Sequence, residues 1–307
     1  MDGSVASPRP LLAIGLRLGS ALALATMSML LKLADQRGSH LLELIFWRQA
    51  ITLVLITLGL LMLRRLTDIR TQRPGAHLRR ALFGITGMVF VYGAVILLPL
   101  AEATTISFTA PMFAVLLSVL LFGEKVGRYR WTAVALGFAG VLIVAQPGMG
   151  AGSVSAIDPA GAAVGLVAAF LVALISFQIQ DLNKTESPWS IVFRFCAFTA
   201  PLAALAMPFV AVAHDPVTWS IIGLMALCGA IAQILLTASL RFGSAATIII
   251  FDYTALLWAT FYGWSVFDRI PSPTLWIGAP LIIAAGITIV LRERRGVRRA
   301  QAAEMDG

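Results

Sequence analysis

Residues 100–144 read LAEATTISFTAPMFAVLLSVLLFGEKVGRYRWTAVALGFAGVLIV. This is an apolar run, a short charged turn at 123–128, and a second apolar run. A degraded copy lies between Leu240 and Val290. Sliding 104–139 onto 249–284 without a gap pairs Thr109 with Thr254, Ala110 with Ala255, Ala114 with Ala259 and Phe122 with Phe267. It also pairs Trp131 with Trp276, Leu136 with Leu281 and Ala139 with Ala284. The identities alone are weak, because apolar helices share composition. The same register, however, lays turn on turn and run on run, and an internal repeat decides the architecture before any single element does.

Apolar runs of similar length fill the 307-residue chain, which is 59% hydrophobic and only 12% charged. A soluble domain of this size carries about 25% charged residues, and a run of about 20 apolar residues spans a bilayer core. The chain therefore reads as an all-α polytopic membrane protein. Ten spans are expected, at 11–34, 41–63, 79–98, 103–122, 129–146, 157–180, 187–213, 217–240, 244–266 and 273–291. The first is too long for the apolar region of a signal peptide, and it has a counterpart. A shift of 146 pairs Gly19 with Gly165, Ala23 with Ala169, Asp35 with Asp181 and Arg48 with Arg194, and a shift of 142 sets Gly87 on Gly229. The expected organisation is a first five-span repeat at 1–146, a Gly/Ser/Pro-rich linker at 147–156, a second repeat at 157–292 and a tail at 293–307.

The net charge of +8 could suggest a nucleic-acid partner, but its distribution argues for a lipid bilayer instead. Of 23 Lys and Arg residues, 18 fall in alternate connections: Arg9, Arg17, Arg64, Arg65, Arg70, Arg73, Arg79, Arg80, Lys125, Arg128, Arg130, Lys184, Arg241 and the cluster at 292–299. Basic residues concentrate on the cytoplasmic side, so both termini are expected there, in a bacterial-type inner membrane. Five spans per copy is an odd number, so the second copy must be inserted upside down. Inverted-topology repeats characterise secondary transporters, with the substrate site near the midplane.

The residues also resemble a known family. Ala103, Pro111, Phe113, Phe122-Gly123-Glu124, Trp131, Gly137 and Gly140 are similar in pattern to EamA-type members of the drug/metabolite transporter superfamily. So are Phe46-Trp47-Arg48 and, in the second copy, Asp252-Tyr253, Trp258, Gly263-Trp264, Phe267, Pro271 and Trp276. Asp268-Arg269 stand where that pattern has Gly-Glu, which suggests that the turn glutamate serves packing or the helix end. The resemblance implies a central cavity lined mainly by spans 1, 3, 4, 6, 8 and 9, alternating access, and small-molecule cargo, more often exported.

Ionisable groups inside spans are functional candidates by default. Asp252 lies about eight residues into its span, about 12 Å deep at 1.5 Å per residue. It is a candidate to bind a cationic group or to exchange a proton during the cycle; its alternative is a packing partner for an arginine. Arg194 lies at similar depth and is the expected partner. Arg48 is its inverted counterpart. Opposite Arg48 the equivalent of Asp252 is Ser107, which cannot neutralise it, so Arg48 is the candidate to meet a substrate carboxylate or phosphate through its bidentate fork. Gln178 and Gln233 are candidate hydrogen-bonding groups or interhelical glue, as is Gln180. Tyr92, Phe108, Tyr253 and Trp258 could line an aromatic wall or simply pack. Lys32, Arg17, Glu43 and Glu102 are expected as interfacial anchors or entrance charges.

Nothing calls for catalysis, a metal or a cofactor: no phosphate-cradling loop is present, and His40, His77 and His214 lack ligand spacing. Cys196 and Cys228 sit in apolar runs as inert thiols. The expected function is a secondary-active carrier of a small polar or amphipathic metabolite (amino-acid-like, vitamin- or nucleoside-like, or a drug), running on protons or exchange, as a monomer or homodimer. An importer or exchanger of an organic anion is one alternative. A lipid flippase or membrane-embedded enzyme is another.

Overall fold

The structure, a computed structural model, describes residues 10–64, 69–124, 126–145, 158–242 and 249–305. The expected linker at 147–156 lies outside the described residues, as do Arg9, Arg65 and Lys125. The first helices are α1 (Pro10–Gln36), α2 (Leu41–Met62), α3 (Pro74–Leu97), α4 (Leu100–Ser107), α5 (Ala110–Phe122) and α6 (Arg128–Ala145). They are followed by α7 (Pro159–Leu182), α8 (Pro188–Ala204), the single turn α9 (Met207–Val210) and α10 (Pro216–Phe242). A 3-10 segment, Ile249–Thr254, then leads into α11 (Ala255–Phe267), and α12 (Pro273–Met305) ends the series. Among the described residues there is no strand, and eight helical stretches are long and apolar enough to cross a membrane.

The stretches expected at 187–213 and 244–266 are the two that fall short. The first stops at Ala204 rather than running to residue 213, and Pro208 opens the separate turn α9. Proline lacks the N–H a helix interior needs and is tolerated in the first turn, so it breaks one helix and starts another. In the second, the 3-10 segment precedes a 13-residue helix. The third helix begins at Pro74, so His77 and Arg80 lie inside it and are buried rather than in a loop. The last helix continues past residue 291 through the stretch expected as a tail.

The opening register survives in three dimensions. The stretch 100–122 breaks at Phe108–Thr109, where Pro111 sits in the first turn of α5. The break before α11 falls at the aligned position, since Ala110 and Ala255 both start the second helical piece and Phe122 and Phe267 both end it. Both pieces close on a left-handed residue, Gly123 at φ 63° and Asp268 at φ 50°. Glycine takes that conformation freely and aspartate is among the few others that tolerate it. The turn glutamate is used locally: Arg130 donates to Glu124 at 2.7 Å.

Packing also comes in matched pairs. α1 lies along α10 as α3 lies along α7; α2 meets α8, and α6 meets α12. Within a bilayer such contacts rest on close packing rather than on hydrophobic exclusion, and glycines supply it. A Cβ on Gly229 would press on Met27 of α1, and one on Gly87 would press on Ile175 of α7. Gly140 and Gly278 bring the backbones of α6 and α12 together, so that a Cβ on Gly278 would stand 2.5 Å from the Gly140 carbonyl oxygen. Two apolar cores result. One, around Leu98, Ile106, Met112, Val144 and Ile282, joins α4, α5, α6 and α12. The other, around Leu31, Leu44, Ile45 and Met225, joins α1, α2, α3 and α10.

Candidate functional site

The two helix breaks meet. Phe108 and Tyr253 occupy equivalent positions in the two copies, and their rings touch edge to face, centroids 4.7 Å apart. Beside Tyr253 stands Asp252, on the 3-10 segment packed against α1. Arg17 of α1 grips its carboxylate with both Nε and a terminal nitrogen, one to each oxygen. The Arg17 side chain is 7% exposed, while 40% of the Asp252 side chain remains uncovered by protein. A bidentate charge pair dry on one side and open on the other can hold a carboxylate in place yet present it to a ligand. The Tyr253 ring lies against α12, where Gly286 makes room: a Cβ there would fall 2.1 Å from the phenol oxygen. Thr26 and Tyr262 share a hydrogen bond of 2.8 Å that ties α1 to α11 just beyond.

Arg17 was expected as an interfacial anchor and Arg194 as the partner of Asp252. In the structure the roles are exchanged. Arg194 is half-buried and gives Nε and a terminal nitrogen to the Ile69 carbonyl, at 3.2 and 2.8 Å. The depth count that singled out Arg194 applies equally to Arg17, seven residues into α1. Span adjacency decides between them, and α1 packs against the 3-10 segment.

Arg48 forms a second locus. One terminal nitrogen donates to Gln49 Oε1 at 3.0 Å and faces Met88 Sδ at 3.8 Å, while its Nε is buried without a partner. Gly229 leaves the room in which that Nε lies. No carboxylate pairs with Arg48 among the described residues. Tyr92 is 3% exposed, its hydroxyl on Met27 Sδ. Gln49 in turn donates to Thr199 of α8.

The remaining candidates scatter. Ser107 is exposed and donates to its own helix, to the Thr104 carbonyl at 2.6 Å. Gln178 has a buried Oε1 without a partner. Gln233 is half-buried on α10, and Gln180 is exposed. Trp258 is 37% exposed, with no ring contact to the Phe108–Tyr253 pair among the described residues. The expected entrance charges are interior groups. Lys32 donates to the carbonyls of Val95, Ile96 and Leu98, neutralising the negative end of α3. Glu102 is 3% exposed and accepts from the Ser272 N–H at 3.4 Å. Glu43 is 0% exposed and bonded to His214.

The EamA-like transporter family model matches this sequence twice, at residues 11–146 and 159–292. The chain belongs to the EamA-like transporter family. It is similar to a riboflavin transporter of Brucella anthropi, 31% identical over 262 residues, covering 83% of this chain and 89% of that protein. A riboflavin transporter of Vibrio cholerae is 28% identical over 263 residues, covering 85% and 86%. A pseudopaline exporter of Pseudomonas aeruginosa is 27% identical over 256 residues, covering 80% and 85%. A solved crystal structure superposes with a TM-score of 0.61 at 23% identity, over 92% of this chain and 98% of that one, a likeness of fold. The EamA chain is thus an integral membrane protein of a transporter family.

Proposed function

We propose that this EamA protein is a secondary-active carrier of a small polar or amphipathic metabolite, working by alternating access. Its ten crossings form two inverted halves, 1–146 and 157–292, with both termini in the cytoplasm of a bacterial-type cell. The double family match, the aligned breaks and the matched packing pairs support this reading. The observation that carries it is the Arg17–Asp252 pair at the breaks. Discontinuous helices near the midplane, at the interface of the repeats, are where such carriers bind substrate and coupling ion.

In this reading Asp252 is the coupling group: a proton or a cationic substrate competes with Arg17 for the carboxylate. Tyr253 and Phe108 supply stacking surface. Riboflavin is the first probe, because relatives carry that name. A second reading, import or exchange of an organic anion, is favoured by one observation, the absence of a carboxylate beside Arg48 among the described residues. Uptake into proteoliposomes of riboflavin and a panel of small organic acids, with and without an imposed pH gradient, tests both. Asp252→Asn is expected to abolish the gradient dependence. Gradient-driven flux unchanged in that variant would overturn the coupling role.

A further inference from the structure

Each end of the molecule carries a buried histidine–carboxylate pair, and the two pairs are placed alike. At one end His214, just before α10, bonds the Glu43 carboxylate at the start of α2, at 3.0 and 3.1 Å; the two side chains are 3% and 1% exposed. At the other end His77, in the first turn of α3, faces Glu186, just before α8, at 3.6 Å, with exposures of 0% and 3%. The sequence registers make α10 the counterpart of α3 and α8 the counterpart of α2. The two pairs therefore join the same two elements, once from each half of the chain and once at each end.

An outer ring repeats the pattern. Arg37, after α1, meets Asp215, before α10, at 3.6 Å. Arg73, before α3, meets Asp181, at the end of α7, at 2.6 Å. The same joints carry the ion pair, with the charges exchanged. Each buried pair is braced: His214 lies edge-on to Trp219, which packs on Trp47. Glu186 accepts from Thr71 at 2.5 Å and from Ser190 at 3.4 Å, and Arg194 holds the Ile69 carbonyl two residues before Thr71. That use accounts for Arg194 where the substrate site does not.

We propose that these pairs are the two gates of the transport cycle: Glu43–His214 seals one end, His77–Glu186 seals the other, and opening one favours closure of the other. This rests on the alternating-access reading. Dry polar pairs suit the task because they are two-state: intact they exclude water, and broken both partners must be hydrated, with no stable halfway position. In this structure Glu43–His214 is hydrogen-bonded, while His77 and Glu186 face each other at 3.6 Å with both His77 ring nitrogens buried and without a hydrogen-bond partner, so the second gate is assembled but not locked.

Hydrogen exchange measured by mass spectrometry on the full chain in nanodiscs tests this without a substrate, so a failed flux screen leaves it standing or falling on its own. Glu43→Gln is expected to raise exchange about tenfold or more at 37–45 and 211–220, in line with loss of a buried charge-assisted bond, and to lower it at 69–78 and 183–192. Glu186→Gln is expected to do the reverse. His214→Asn and His77→Asn must reproduce the response of their own end, which separates gating from misfolding, since a misfolded variant exchanges at both ends. Opening confined to the mutated end, with the opposite end unchanged, overturns the proposal, as does simultaneous loosening of both ends in all four variants. If riboflavin flux proves intact in a variant whose gate no longer closes, the gates fall and the carrier reading stays.

Discussion

Removing the two members of the Arg17–Asp252 pair should cost unequal amounts, and the inequality tests the assignment. Taking one partner from a buried ion pair costs about 3–5 kcal/mol, because a buried charge is left alone. The open side of Asp252, 40% exposed, lets water or lipid headgroups compensate, which lowers the figure toward about 2–3 kcal/mol for Asp252→Leu. Arg17 cannot shed its proton and its side chain is 7% exposed, so that cost persists at every ordinary pH. Arg17→Met leaves a carboxylate that can neutralise itself by taking up a proton, and should cost about 1 kcal/mol. The double variant replaces the pair by apolar groups and should return to within about 1 kcal/mol of the wild type, giving an interaction energy of about 2 kcal/mol. Unfolding in mixed micelles of increasing SDS fraction, followed by tryptophan fluorescence, measures all four corners. Additive losses, or Arg17→Met costing as much as Asp252→Leu, would refute the pairing.

Gly278→Ala should separate α6 from α12, because its Cβ would lie 2.5 Å from a backbone oxygen that cannot yield; a loss of about 1–3 kcal/mol is expected from overpacking, read from the same titration. Gly286→Ala should displace the Tyr253 ring and reduce flux, and Tyr253→Phe, which removes the clashing phenol oxygen, should restore tolerance of the alanine; flux in the single and double variants decides. The Arg130 hydrogen bond holds the Glu124 carboxyl below the ordinary 4.5. A lowered carboxylate pKa contributes stability above the ordinary value and loses it as pH falls through the lowered one. Carboxyl NMR titration should therefore place Glu124 below 4.5, and Arg130→Gln should bring it back up.

The all-helical membrane character and the register linking residues 104–139 to 249–284 are readable because their signals are collective. A 36-residue register and apolar runs of span length each average over many positions. The helix breaks were not among the readable features: the spans at 103–122 and 244–266 are expected to run through, and the structure interrupts both at aligned positions. The partner of Asp252 was not readable. Arg17 and Arg194 lie at similar depth, and only the packing of α1 against the 3-10 segment chooses between them. The histidine pairs were hidden for a different reason. Glu43 and His214, or His77 and Glu186, are more than 100 residues apart, and each looks like an isolated loop or span-end residue until the helices that carry them are assembled. Charge near a span end has no direction: the sequence places Lys32, which caps a helix, and Arg17, which holds Asp252, alike as anchors or entrance charges.

The seam where α6 meets α12 has a mechanical meaning. Elsewhere the helices interlock through side chains that would have to unmesh before one element slid past another. Between Gly140 and Gly278 the two backbones come into direct contact, flanked by Ile282, Leu281 and Val144. In the proposed alternating access, a rocking motion that opens first one end and then the other would turn about this contact, between residues on either side of 147–156. A bulky side chain placed there would, in that reading, hinder the motion as well as weaken the protein.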